Sequence, residues 1–200
     1  FNKNVNFPRI VLGKISSLKT EFKNYKLCVK ESISLWNYEI RKNNQNEKIF
    51  LRTASIEALS FSTLANLRIG EQIKNIVREY KPKAILTTFE GHAYERVIYA
   101  SAREVKRDIK CFAYQHSRIF PNQHAMLRNL KLKFNPDIIF TSGKNSCSLI
   151  KKANIDKNLK VEILGSSTFY KGENKRYQQD DNIENLQENF CIVMPEGLIS

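Results

Sequence analysis

Two hundred residues suffice for one full domain, or for one domain plus part of another. A hydrophobic fraction of 42% excludes disorder of the whole chain, and no apolar run approaches the roughly 18 residues that a membrane-spanning helix needs. The net charge is +13, with the basic excess in residues 1–50 and 101–150. Such a surface attracts nucleic acid, anionic lipid or phosphorylated small molecules without choosing among them.

In chain order, FPRIVLGKI (7–15) reads as a short strand or a lead-in loop. From Leu18 to about Arg41 the pattern is helical, with Phe22, Tyr25, Leu27, Ser32, Leu35, Trp36 and Ile40 spaced roughly as one amphipathic face. KNNQNEK (42–48) reads as a polar loop. Residues 55–80 read as one long helix or a broken one that ends before Pro82 because proline disfavours helical backbone in the residue preceding it. A regular alternation follows: strand 82–89, helix 93–107, strand 109–117, a basic loop, strand 136–143, helix 145–154 and strand 159–167. The strands are short and apolar throughout, the pattern of parallel strands covered on both faces by helices. The fold class expected is therefore α/β, a Rossmann-like parallel sheet flanked by helices. Residues 1–167 form the expected first domain, with a helical region at 17–80; 168–188 reads as a polar linker, and NFCIVMPEG from 189 reads as the first strand of a second α/β domain. A start at Phe1 and an end at MPEGLIS read as the cut ends of a longer protein.

Four cysteines, Cys28, Cys111, Cys147 and Cys191, lie far apart and form no CxxC pair, so buried free thiols in a reducing cytoplasm are expected. The histidines His92, His116 and His124 show no ligand spacing with them, which argues against zinc.

In parallel α/β sheets ligands bind at the carboxyl ends of the strands. Those ends carry Thr87, Thr88 and Glu90; Tyr114, Gln115, His116 and Ser117; Thr141, Ser142 and Gly143; and Gly165, Ser166 and Ser167. Glu90 and His116 are the most attractive pair, since a carboxylate and an imidazole on neighbouring strand ends could act on one bound hydroxyl. Capping of the following helix by Glu90 and a core role for His116 account for the same residues. Glu95 suits the positive helix end, and either a cap, a brace or a cleft-facing role is open to it. Surface exposure is the default for His92. SGKNS (142–146) resembles a small phosphate cradle but lacks the Walker pattern, and an N-cap at Ser142 explains it as well. The basic loop 118–136 interleaves Arg118, Arg128, Lys131 and Lys133 with Phe120, Leu127, Leu130 and Phe134. Contact with an anionic membrane surface or acceptor, and a solvated charged face, explain it equally.

The runs TFEGHAYERVIYASAREV, CFAYQHS, NPDIIFTSGKNSCSLIKKA and VEILGSS together resemble bacterial surface-carbohydrate biosynthesis proteins of the GT-B glycosyltransferase kind. The resemblance covers about residues 82–167 and rests on Glu90 to Glu95-Arg96, Gln115-His116-Ser117, Pro136-Asp137, Gly143 and Gly165-Ser166. It implies the N-terminal, acceptor-side half of a two-domain fold that transfers sugar from a nucleotide-sugar to a surface-polysaccharide or lipid-linked acceptor. It implies no cofactor beyond the donor, no metal, and a cytoplasmic location, either free or peripheral to the inner face of the cytoplasmic membrane. Glu90 and His116 would be catalytic; Glu95, Arg96, Gln115, Ser117, Gly143, Gly165 and Ser166 would bind substrate. A sugar-nucleotide epimerase of the same architecture is the alternative enzyme. A basic module binding nucleic acid is the alternative outside enzymes, against which stand the acidic Glu90 and the lack of any known RNA-binding motif that clusters aromatics with the basic residues.

Overall fold

The computed structural model describes residues 12, 17–120, 125–153, 159–165 and 191–194. The chain forms two compact units, Phe1–Gln72 and Ile73–Ser200.

The first unit contains helices α1 (Leu18–Ile40) and α2 (Gln45–Glu57), and most of α3 (Phe61–Tyr80). Residues 45–48, expected in a loop, belong to α2. Asn44 is its N-cap and accepts from the Asn46 and Glu47 N–H groups, which lets a polar run open a helix. The break foreseen in 55–80 falls between Glu57 and Phe61. The interior face of α1 is not the one its apolar spacing predicts. Asn24 and Cys28 are buried, and Ser32 bonds Ser55 of α2 through the hydroxyls at 3.1 Å and from the Ser55 hydroxyl to the Ser32 carbonyl at 2.9 Å. Small side chains let the two backbones approach, and Phe22, Trp36 and Ile40 are left exposed. Arg68 of α3 holds Glu21 through its Nε–H, shared between both carboxylate oxygens at 2.9 Å, and through Nη2 at 2.8 Å.

In the second unit α3 ends where Lys81 turns left-handed (φ 48°) before Pro82. Then follow β1 (Ala84–Thr88), α4 (Ala93–Val105), β2 (Lys110–Gln115), a 3-10 turn (Leu132–Phe134), β3 (Ile138–Thr141), α5 (Lys144–Ala153), β4 (Lys160–Ile163) and β5 (Cys191–Met194). All strand pairs are parallel, and the order across the sheet is β4-β3-β2-β1-β5. The α/β class with a parallel sheet flanked by helices is thus present. The strand expected to open a second domain is instead a fifth strand of this sheet: Ala84 pairs with Cys191 and Thr87 with Met194. An apolar strand takes the free edge of β1, because an unpaired edge leaves backbone groups unsatisfied. The lead-in 7–15 apart from Leu12, the linker 168–188 and His124 lie outside the described residues.

One face of the sheet is sealed. Ile85, Thr87, Cys111, Ala113, Gln115, Ile139, Thr141 and Val161 are all buried, and the Thr87 hydroxyl meets Tyr99 of α4 at 2.5 Å. Leu86, Phe112, Tyr114 and Phe140 on the alternate face are half-buried, so coverage is less even than the uniformly apolar strands predict. Cys28, Cys111 and Cys147 are buried free thiols, and burial pushes Cys111 up to about 12.

Candidate functional site at the carboxyl edge of the sheet

The chain steps from β1 through β2 and β3 to β4 in one direction, then returns to place β5 on the other side of β1. Such a reversal opens a crevice beyond the carboxyl ends of the two strands that flank it. The turn that follows β1 is Glu90-Gly91-His92.

Glu95 organises that turn. Its side chain is fully buried, and its carboxylate accepts N–H bonds from Glu90 (2.9 Å), Gly91 (2.8 Å) and His92 (2.8 Å). Burial pushes the Glu95 carboxyl above its usual range, against the pull of these three donors. In dinucleotide-binding sheets the N–H groups at this place cradle a phosphate; here the protein's own carboxylate fills the cradle. Glu95 is therefore a brace and not a substrate contact, because its oxygens are already engaged.

Gly91 has φ 85°, a conformation that L side chains resist. A Cβ there would stand 2.3 Å from the Met126 backbone nitrogen. The turn is thus laid directly on residues 125–126. Arg96 fastens the same segment from below. It donates to Asn135 Oδ1 (2.6 Å) and to the carbonyls of Ala125, Met126, Arg128 and Phe134 (3.2 to 3.5 Å), with its guanidinium 4.8 Å from the centre of the Phe89 ring. With every reachable oxygen drawn from the chain itself, Arg96 too is structural instead of substrate-binding. Two helical turns on, Arg103 grips the carbonyls of Leu132, Lys133 and Asn135 and pairs with Asp137 at 3.1 Å. Asp137 also accepts from the Cys111 N–H at 2.7 Å, at the amino edge of the sheet. The Glu-Arg and Pro-Asp parts of the sequence pattern thus hold the scaffold.

The groups that remain accessible are few. Glu90 keeps 22% of its side chain exposed, and its Oε2 lies 3.6 Å from Nε2 of His92, which is 47% exposed and stacked on Tyr94 (5.5 Å between ring centres, 15°). His116 is exposed and stacks on Tyr114 (6.2 Å, 24°). Glu90 and His116 do leave neighbouring strands at similar levels, since Thr88 pairs with Tyr114 and the Phe89 N–H donates to the Tyr114 carbonyl at 3.0 Å. Among the described residues, however, the imidazole against the Glu90 carboxylate is His92. Sequence spacing favoured His116 because it sits at a strand end; the glycine that bends the turn brings His92 back over Glu90. Gly91 and the two arginines seven residues apart on α4 were the available signals.

Gln115, foreseen as a substrate contact, is fully buried, and its Nε2 donates to the Ser117 carbonyl. It closes the turn after β2 and is not accessible to a ligand. Ser117 is half-buried on that turn. Gly143 opens α5 by accepting the Cys147 N–H at 3.1 Å, and a Cβ there would meet nothing within 4 Å. Gly165 (φ 92°) is equally open, and its carbonyl accepts from Tyr114 Oη at 2.8 Å. Ser166 lies outside the described residues. A cavity of about 410 Å³ lies instead at the amino edge, lined among others by Lys110, Phe112, Asn135, Asp137 and Lys160. None of the site residues foreseen lines it, and the topological rule places ligands at the opposite edge.

Among the described residues no group of three or more His, Cys, Asp or Glu side chains could hold a metal ion, and no helix is long and apolar enough to cross a membrane. No protein-family model matches the chain, and no curated protein matches it.

Proposed function

We propose that this chain is the acceptor-side part of a GT-B-like glycosyltransferase, which transfers sugar from a nucleotide-sugar to a surface-polysaccharide or lipid-linked acceptor at the inner face of the cytoplasmic membrane. The observation that carries this is the partly exposed Glu90 carboxylate beside the reversal of strand order, on a turn fixed by Glu95 and Gly91. A carboxylate on a rigid turn can take the proton from an acceptor hydroxyl as it attacks the sugar carbon. His92 at 3.6 Å is placed to orient that carboxylate and to share its proton. Filling of the first phosphate cradle by Glu95 supports an acceptor role for this sheet, because a nucleotide diphosphate would meet a buried negative charge there. In this reading a second domain carries the donor, and no cofactor other than the nucleotide-sugar takes part.

The test is activity of the full-length protein on CMP-, UDP- and GDP-sugars, with and without lipid-linked and oligosaccharide acceptors. Acceptor-dependent transfer is expected, and Glu90→Gln should lower kcat by about 10²–10⁴, the usual worth of a general base. Full activity in Glu90→Gln would return that residue to a capping role. Turnover without acceptor would point to epimerase chemistry.

A further inference from the structure

We propose that the α1–α2 face of the N-terminal unit docks on an anionic lipid bilayer. Phe22, Tyr25, Val29, Ile33, Trp36 and Ile40 follow one another at steps of three and four, so they share one face of α1. This row runs about 27 Å along the helix at 1.5 Å per residue. Yet Phe22, Tyr25, Ile33, Trp36 and Ile40 are 43% to 71% exposed, because α1 turns inward the face that carries Asn24, Cys28 and Ser32, where Ser32 meets Ser55 of α2. The face continues onto α2. Arg52 lies 5.7 Å from the centre of the Trp36 ring, and Ile49 and Ile56, three and four residues to either side of it, are 57% and 62% exposed. A contiguous apolar face of this kind marks an interaction surface.

Charge selects the partner. Lys23, Lys26 and Lys30 each stand one residue past an apolar position of the row, and Lys19 stands four residues before Lys23, so the four form a second, parallel row beside it, and all four are exposed. Lys23 lies 4.0 Å from Glu71. The acidic residues of α1, Glu21, Glu31 and Glu39, fall in neither row. Aromatic and aliphatic side chains beside a lysine row form the pattern of a helix lying in the headgroup region, apolar face down and lysines on lipid phosphates. A second copy packed antiparallel would set lysines against lysines, at a repulsive cost. The inference stands whether or not the protein transfers sugar.

Trp36 is the one tryptophan of the chain and sits within the face, so its fluorescence reports docking directly. The full chain is mixed with phosphatidylcholine vesicles, with or without phosphatidylglycerol, and followed by Trp36 emission and by flotation. A blue shift and flotation with the anionic vesicles alone are expected. Replacing Lys19, Lys26 and Lys30 with Gln should weaken partitioning by about fivefold per lysine, as the attraction of basic residues to anionic surfaces predicts. Phe22→Ser combined with Ile33→Ser should abolish it with unchanged circular dichroism, since both side chains lie outside the core. Three outcomes would overturn the proposal: no shift with anionic vesicles, equal binding to neutral ones, or a lipid-free dimer in which Trp36 is already shielded from a soluble quencher.

Discussion

Helix α4 buries Ile98, Tyr99 and Ala102 together with the charged Glu95 and Arg96, whereas α1 buries Asn24 and Cys28 and turns its aromatic residues outward. The two helices solve different problems. Helix α4 must cover a sheet, so its apolar stripe faces Thr87 and the strands, and the two charges at its start are matched by backbone donors and acceptors from the neighbouring turns. Helix α1 lies on other helices, and close approach at Ser32 and Ser55 favours small side chains over large ones. Charge and polarity thus mark the interior at these positions as firmly as apolarity does where most polar atoms are matched, with Arg96 Nε and Asn24 Nδ2 the exceptions here.

The largest test of this contrast removes a residue from the sheet unit. Arg96→Ala should cost about 3–5 kcal/mol, the usual penalty for deleting one side of a buried charged network, and residues 125–135 should exchange their amide hydrogens much faster. Chemical denaturation with hydrogen exchange measures both. A loss below 1 kcal/mol would mean that the carbonyls it grips find other donors. Ile85→Ala, within the sealed face, should cost about 2–5 kcal/mol, while Phe22→Ala on α1 should stay within about 0.5 kcal/mol. Equal losses at the two positions would erase the contrast between the units.

Gly91→Ala should cost about 2–4 kcal/mol, combining backbone strain at φ 85° with a clash against residue 126. If Gly91 also sets the Glu90–His92 pair, the proposed transferase activity should fall more than stability does. Gly143→Ala, with open space and no strained φ, is the control and should change stability little. Ser55→Ala should cost about 1 kcal/mol by leaving the Ser32 carbonyl with one hydrogen bond fewer, a thermal shift small but measurable.

The smallest effect is a pH dependence. Lys133 and Lys74 hold the Glu104 carboxyl down at about 2. A depressed carboxyl contributes stability above its unfolded value, and that contribution is lost as the pH falls through the ordinary carboxylate range toward about 2. Glu104 is 44% exposed, so solvent screens the pair and the loss should stay below about 1 kcal/mol. Glu95 acts with the opposite sign: its raised value favours the fold below the ordinary carboxylate range and loses that contribution as pH rises through the raised value. Thermal midpoints of Glu104→Gln between pH 5 and about 2 should therefore fall less than those of the parent. Parallel curves would show that the two lysines lend Glu104 no net stability.

Much of the α/β unit was legible in advance. The apolar runs ending in small polar residues located β1 to β3 to within two residues and β4 to within four, and Pro82 marked the end of α3, because strand composition, helical period and proline stereochemistry are local properties. The glutamate-arginine pair after β1 was visible as well, but its work was not. Whether a carboxylate meets a ligand or three backbone N–H groups depends on how the turn folds over it, and that depends on a glycine pressed against a segment 35 residues away. His92 came to Glu90 by the same bend. The place of β5 beside β1 and the outward turn of the α1 aromatic row were likewise decided only in the tertiary structure. A strand's sequence states that it needs a neighbour and an amphipathic helix that it has two sides; which neighbour, and which side is covered, is settled by contacts between residues far apart in the chain.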